Sequence, residues 1–279
     1  MPTQAEKAAV FQTLHHGPGI FVIGNPWDAG SARILTALGY PALSTTSAGL
    51  AFSLGRTDGT ASVTRDEALA NARAIVEATH LPVAADLENG YGHTPEAAAE
   101  TIRRAAEVGL VGGSIEDATG DPAHPIYDFS HAVERVAAAA AVAGSLPFSF
   151  MLVGRAENFL HGRPDLDDTI RRLQAFEAAG AQVLYAPGIT RPQDIRTLCA
   201  SLGKPVNVLV GLKNAPPLTV QQLDELGVRR ISLGSGFSRA ALTAFFHAAR
   251  EVRDDGTFHF TEESLYLSEL TALFRSPDA

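Results

Sequence analysis

The sequence predicts a (β/α)8 barrel of the TIM type with extra helices at both ends, and three observations point there. Short apolar or β-branched runs alternate eight times with longer amphipathic stretches. Gly39, Gly109, Gly180, Gly203 and Gly227 stand just past predicted helix ends, where a left-handed residue closes the helix. Acidic residues recur where the apolar runs stop, although a buried parallel strand more often ends in uncharged turn residues. A doubly wound open sheet is the alternative, and the lack of a GxGxxG turn after the first run counts against it.

In chain order, the first strand is expected over 20–24 with its helix over 28–38, and the second over 42–46 with a helix over 64–79. Thr64 and Glu67 form a capping box for the latter. The third strand, 82–87, leads to a helix over 94–108 that begins Thr94-Pro95-Glu96, with proline at the first helical position. Strands over 111–116, 148–154, 181–186, 205–210 and 229–234 follow, with helices over 129–143, 165–179, 191–202, 219–226 and 237–253. Residues 4–14 form an additional helix suited to closing one mouth of the barrel. An amphipathic tail closes the chain, and its Leu265, Leu267, Leu270 and Leu273 need a surface to cover.

The 279 residues, 46% of them hydrophobic, fit one barrel-sized domain over 1–279, with 255–279 as a helical tail used in oligomer packing. A net charge of −9 without a basic run argues against nucleic-acid binding. Cys199 is the lone cysteine, which excludes an internal disulfide and a cysteine-based zinc site. With neither a signal-like leader nor a long apolar segment, the expectation is a cytoplasmic protein that does not use a membrane.

In such a barrel the C-terminal strand ends share one face, so distant residues become neighbours. That face would gather Trp27, Thr45-Thr46-Ser47, Asp58, Asp86, Glu88, Glu116, Asp117, Arg155, Glu157, Tyr185, Asn207 and Ser232. One such carboxylate is as easily a helix cap or a surface charge. Four together would repel strongly without a cation, and hard oxygen donors suit Mg²⁺, with Mn²⁺ also possible. Arg155 is read either as the ion-pair partner of Glu116 or Glu157 or as a fork for a substrate carboxylate. Residues 45–49 are an ordinary turn or a cradle of backbone N–H groups for an oxyanion. His93, His124 and His161 lie on predicted loops, without metal-ligand spacing.

Several of these segments resemble the isocitrate lyase/phosphoenolpyruvate mutase superfamily across residues 11–246. They are Asn25-Pro26-Trp27-Asp28-Ala29, Thr45-Thr46-Ser47-Ala48-Gly49-Leu50-Ala51, Ser53-Leu54-Gly55-Arg56-Thr57-Asp58, Ala85-Asp86-Leu87-Glu88-Asn89-Gly90-Tyr91-Gly92, Ser114-Ile115-Glu116-Asp117 and Gly154-Arg155-Ala156-Glu157. The resemblance implies a Mg²⁺-dependent lyase or mutase that makes or breaks a C–C or P–C bond beside a 2-oxo acid through an enolate-like intermediate. By position, Asp86 binds the metal directly, and Glu88, Glu116 and Asp58 act mainly through metal-bound water. Arg155, Glu116 and Asp58 serve the chemistry. Arg155 grips a carboxylate of a small 2-oxo acid or hydroxy di- or tricarboxylate, helped by Thr45, Thr46, Ser47, Trp27 and Asn207. A homodimer or homotetramer is expected.

Departures narrow the reaction. The Lys-Lys-Cys-Gly-His loop of isocitrate lyases is absent here, where Glu116-Asp117-Ala118-Thr119-Gly120-Asp121-Pro122-Ala123-His124-Pro125 runs instead. A cysteine-dependent isocitrate lyase is therefore not expected. The lysine of the phosphonomutase loop is missing too, and Tyr185-Ala186-Pro187-Gly188 stands where lyases carry a glutamate. An oxaloacetate-type decarboxylase or hydrolase and a non-catalytic binder of small carboxylates remain alternatives.

Overall fold

The structure, a computed structural model, describes residues 1–213 and 215–275; the last four residues of the expected tail lie outside them. The elements follow in order: α1 (Gln4–His16), β1 (Phe21–Val22), α2 (Ala29–Ala37), β2 (Leu43–Ser44), α3 (Ser47–Ser53), α4 (Arg65–Glu77), β3 (Val83–Asp86), α5 (Pro95–Glu107), β4 (Gly112–Glu116) and α6 (Phe129–Ser145). The second half comprises β5 (Met151–Arg155), α7 (Leu166–Ala178), β6 (Val183–Tyr185), α8 (Pro192–Ala200), β7 (Val206–Leu209), α9 (Val220–Glu225), β8 (Arg230–Ser232) and α10 (Gly236–Asp254). A 3₁₀ turn (His259–Glu262) and α11 (Leu267–Phe274) complete it.

All eight strands are parallel, in the order β1-β8-β7-β6-β5-β4-β3-β2. The sheet curls until its end strands meet. The Gly24 N–H donates to the Ala42 carbonyl at 3.1 Å, and Ser44 N–H to the Gly24 carbonyl at 2.8 Å, in a parallel bridge between Gly24 and Leu43. Most paired segments are shorter than the expected strands, as with β1 (Phe21–Val22) against 20–24 and β2 (Leu43–Ser44) against 42–46.

One core lies between sheet and helices and includes Leu69, Ile75, Ile102, Leu173, Phe176 and Ile195. A second fills the barrel, where Ala8 and Phe11 of α1 pack against Phe21, Ile23, Val111, Met151 and Val183. Phe11 needs Gly112 opposite it, since a Cβ there would sit 2.9 Å from the Phe11 ring. Helix α1 thus plugs the barrel floor, and the capping boxes at Thr3 and Thr64 hold α1 and α4 at their starts.

Two features depart from the sequence reading. Residues 47–53 form α3 rather than a plain turn: Thr46 Oγ1 accepts from the Gly49 N–H at 3.3 Å as its N-cap. Gly49 permits this, because a Cβ there would lie 2.6 Å from Thr46 Cγ2 and 2.8 Å from Trp27 Cβ. Helix α10 also fails to pack as the eighth barrel helix does in a regular barrel. Ser238 is its one buried residue, while Leu242, Phe245 and Phe246 face solvent. Helix α11 lies instead on α2, where Arg33 donates to the Phe274 carbonyl at 2.8 Å.

Candidate active site

Strand register builds the site. Glu116, Arg155, Tyr185, Asn207 and Arg230 are successive register partners across β4 to β8. Directly paired residues of a parallel sheet point to the same face, so this row lines the barrel interior. Strand tilt makes the row descend, because Glu116 ends its strand whereas Arg230 begins its own. At the floor, Arg230 Nε donates to Asn207 Oδ1 at 2.8 Å, and Asn207 Nδ2 donates to Ser232 Oγ at 2.9 Å. His15 Nδ1 lies 2.7 Å from the Phe11 carbonyl and so carries the proton, which leaves Nε2 to accept from Arg230 Nη1 at 3.3 Å. Burial, then the charge of Arg230, push the His15 imidazole down to about 3, so it stays neutral.

Asp86 stands at the mouth and is held by α3, by its own turn and by β5. Ser47 Oγ donates to it at 3.0 Å, the Glu88 N–H at 3.2 Å, and Arg155 Nη1 lies 3.4 Å from both of its oxygens. Thr45 Oγ1 accepts from the Asp86 N–H at 3.1 Å, fixing the strand end. Beyond it the chain turns sharply, with Glu88 at φ +47° and Tyr91 at φ +55°. Such left-handed conformations in non-glycine residues cost energy and persist only when the surroundings impose them. Arg135 of α6 imposes this one. It donates to the Gly92 carbonyl at 2.7 Å, to the Thr94 carbonyl at 3.3 Å and to the Asn89 carbonyl, while stacking on Tyr127.

Arg155 links the carboxylates. Its Nη1 is 3.2 Å from Glu116 Oε2, its Nε donates to Glu157, and its guanidinium lies 5.2 Å from the Tyr185 ring centre. Burial opposes its charge, but Glu116, Glu157 and Asp86 outweigh that and hold it ionised. A buried support stands behind: Asp117 Oδ1 accepts from the Glu157 N–H at 2.8 Å, and Asp117 Oδ2 pairs with Arg172 Nη1 at 3.1 Å.

The acids at the mouth carry the mark of crowding. Burial, then the charges of Asp86 and Asp58, push the Glu88 carboxyl up to about 7. Burial raises Glu116 well above the carboxylate range; Arg155 pulls it down, and Glu157, Asp86 and Glu88 push it further up. Asp58, exposed at the cleft rim, is raised by desolvation where it faces the cleft and then by Asp86. A divalent cation would relieve this repulsion, and the all-oxygen donor set suits a hard ion. Among the described residues no three acidic, imidazole or thiolate groups converge as a ready-made cage.

A cleft of about 720 Å³ opens over this mouth, lined in part by Ser47, Asp58, Glu88, Glu116, Arg155 and His161. Of the residues expected from sequence, the structure brings Asp86, Glu88, Glu116, Asp58, Ser47 and Arg155 together. Thr45 and Asn207 line a smaller inner cavity of about 50 Å³ beneath, so a ligand touches them only by entering it. Thr46 caps α3. Trp27 is half-buried behind Gly49 and takes a hydrogen bond from Asn71 on its carbonyl. The loop 119–127 closes on itself: Ala118 bridges Ile126, and Thr119 N–H donates to the Pro125 carbonyl at 3.0 Å. Sequence reasoning missed Arg135, Arg172 and Arg230, which sit inside helical or strand patterns where charge reads as surface. Burial of an arginine in an apolar stretch was the available signal.

Comparison with known proteins now decides the family. Residues 11–253 match the family described as phosphoenolpyruvate phosphomutase. The chain belongs to that family. It is an enzyme of the isocitrate lyase/phosphoenolpyruvate mutase superfamily, whose relatives act on C–C or P–C bonds. A solved structure of a candidate lyase/mutase from Burkholderia cenocepacia J2315 is 52% identical, with a TM-score of 0.95, over 98% of this chain and 97% of that one. An uncharacterised protein of Mycobacterium tuberculosis is 34% identical over 88% of this chain and 89% of its own length. The oxaloacetate decarboxylase of Bradyrhizobium diazoefficiens is 30% identical over 94% of this chain and 90% of its own.

Proposed function

We propose that this enzyme is a Mg²⁺-dependent lyase that cleaves or forms a C–C (or P–C) bond beside a 2-oxo acid through an enolate-like intermediate, with Mn²⁺ able to substitute. The crowding of Asp86, Glu88, Glu116 and Asp58 around Arg155 carries this reading. A bound divalent ion would polarise the 2-oxo group and offset enolate charge. Asp86 would hold the ion directly, and Glu88, Glu116 and Asp58 would hold it through its water. Arg155, kept charged and aimed by Glu116 and Glu157, takes the substrate carboxylate with the N-terminus of α3 and Ser47 on its other side. The small inner cavity, with Thr45 and Asn207, receives the buried end of the ligand.

An oxaloacetate-type decarboxylation is the second reading. It is favoured by the 30% identity to an oxaloacetate decarboxylase and by the absence of lysine and cysteine from 117–127. The exposed apolar face of α10 and the tail fits a homodimer or homotetramer in which a second copy covers Phe245 and Phe246.

Oxalate resembles the enolate of pyruvate, so calorimetric titration with and without Mg²⁺ tests the site. Binding that needs Mg²⁺ supports the lyase reading and directs a screen of oxaloacetate and 2-alkylmalates. No binding in either condition removes it.

A further inference from the structure

The geometry points to His161 as the group that exchanges a proton with C3 of the substrate enolate, an inference that rests on the lyase reading in its oxaloacetate-type form. His161 lies on the turn after β5 and lines the same cleft as Arg155, Glu116 and Glu88. Its Nε2 is 3.8 Å from Glu157 Oε2, while Glu157 Oε1 accepts from Arg155 Nε. One buried carboxylate therefore touches both the carboxylate-gripping arginine and this imidazole.

The turn is built to hold the ring. The Glu157 N–H is fixed on Asp117, and the His161 N–H donates back to the Glu157 carbonyl at 3.2 Å. Asn158 Nδ2 donates to Asp168 at 2.8 Å, and the Arg163 N–H donates to the Asn158 carbonyl at 2.9 Å. The ring itself, one-third exposed, makes no hydrogen bond among the described residues.

Competing proton carriers are spoken for or misplaced. His93 Nδ1 is engaged by the Tyr127 hydroxyl at 2.7 Å. His124 faces solvent beside Asp121. Tyr185 lines the inner cavity and is pushed up to about 12 by burial, which makes it a weak acid at neutral pH. The carboxylates of Asp86, Glu88, Glu116 and Asp58 would be committed to the cation under the proposed function.

In the cleavage direction, the C3–C4 bond of a 2-oxo diacid breaks and carbon dioxide leaves. The bonding pair moves into C2–C3 and gives the enolate. C3 then takes the proton of the His161 imidazolium, yielding the 2-oxo acid, and the neutral ring regains a proton from water. No other reactant is needed.

The test uses the full chain with Mg²⁺, and two probes: oxalate for binding and pyruvate in deuterium oxide for C3 exchange, followed by proton NMR. In His161→Gln and His161→Gly, oxalate affinity stays within about twofold of the wild type while exchange falls about 10²–10⁴-fold. Free imidazole restores part of the exchange in His161→Gly. Exchange at the wild-type rate in both variants overturns the assignment of His161 and leaves the lyase reading intact. A wild type that binds oxalate yet exchanges no C3 hydrogen overturns it equally. A wild type that binds no oxalate overturns the lyase reading and, with it, this inference.

Discussion

Glu116 and Arg155 are register partners on neighbouring parallel strands, and Arg155 Nη1 lies 3.2 Å from Glu116 Oε2. The structure shows the ion-pair half of the sequence reading: Glu157 binds the Arg155 Nε, and Nη1 faces Asp86 and Glu116. A cation arriving among these acids would free part of that guanidinium for a substrate carboxylate.

The direct-ligand role proposed for Asp86 predicts that Asp86→Ala abolishes Mg²⁺-dependent oxalate binding. Calorimetry gives the answer, and unchanged binding would remove Asp86 from the metal site.

Glu88 predicts a pH dependence. Its folded-state carboxyl is raised to about 7, above the ordinary value of 4.5, so the native state holds more protons than the unfolded chain between those values. Stability of the metal-free protein therefore falls as pH rises through that window, and Glu88→Gln flattens the fall. Mg²⁺ works the other way, binding the ionised form, so its stabilising effect grows from pH 5.5 to 8. Thermal melts with and without Mg²⁺ read both trends, and at this size each kcal/mol moves Tm by about 2–4 °C.

Removing Arg155 takes the ion-pair partner from Glu116 and, among the described residues, leaves the buried Glu157 with only the His161 ring at 3.8 Å. Arg155→Ala is expected to cost about 3–5 kcal/mol in urea unfolding when Mg²⁺ is absent. A loss below about 1 kcal/mol would mean that solvent already compensates these carboxylates.

Gly90 holds φ +77°, and a Cβ there would lie 2.9 Å from the Ala98 Cα. Gly90→Ala strains the turn that carries Glu88, and should destabilise the fold by about 1–3 kcal/mol while weakening Mg²⁺ binding. A variant as stable as the parent would show that the loop relaxes freely.

The apolar face of α10 predicts association. Light scattering on a sizing column should give a dimer or tetramer at micromolar concentration, and Phe245→Glu with Phe246→Glu should shift it toward monomer. A monomeric parent protein would leave that face without its proposed cover.

Much of this was legible in the chain. Alternating apolar runs and capped helices determined the barrel, since hydrophobic periodicity and glycine placement are local signals: Thr64, Glu67 and Pro95 act where the sequence reading put them. The acids at strand ends marked the site, because a charge closing a buried run conflicts with burial unless something compensates it. Tertiary structure decided what depends on distance across the barrel. Strand tilt lowers Asn207 and Arg230 beneath Arg155, and that register exists only once eight strands have closed. It also brings Arg135 to carbonyls more than 40 residues away. Helix α10 shows the same division. Its sequence marks an amphipathic helix, but whether the apolar face meets its own barrel depends on the path of the chain beyond β8, and here it does not.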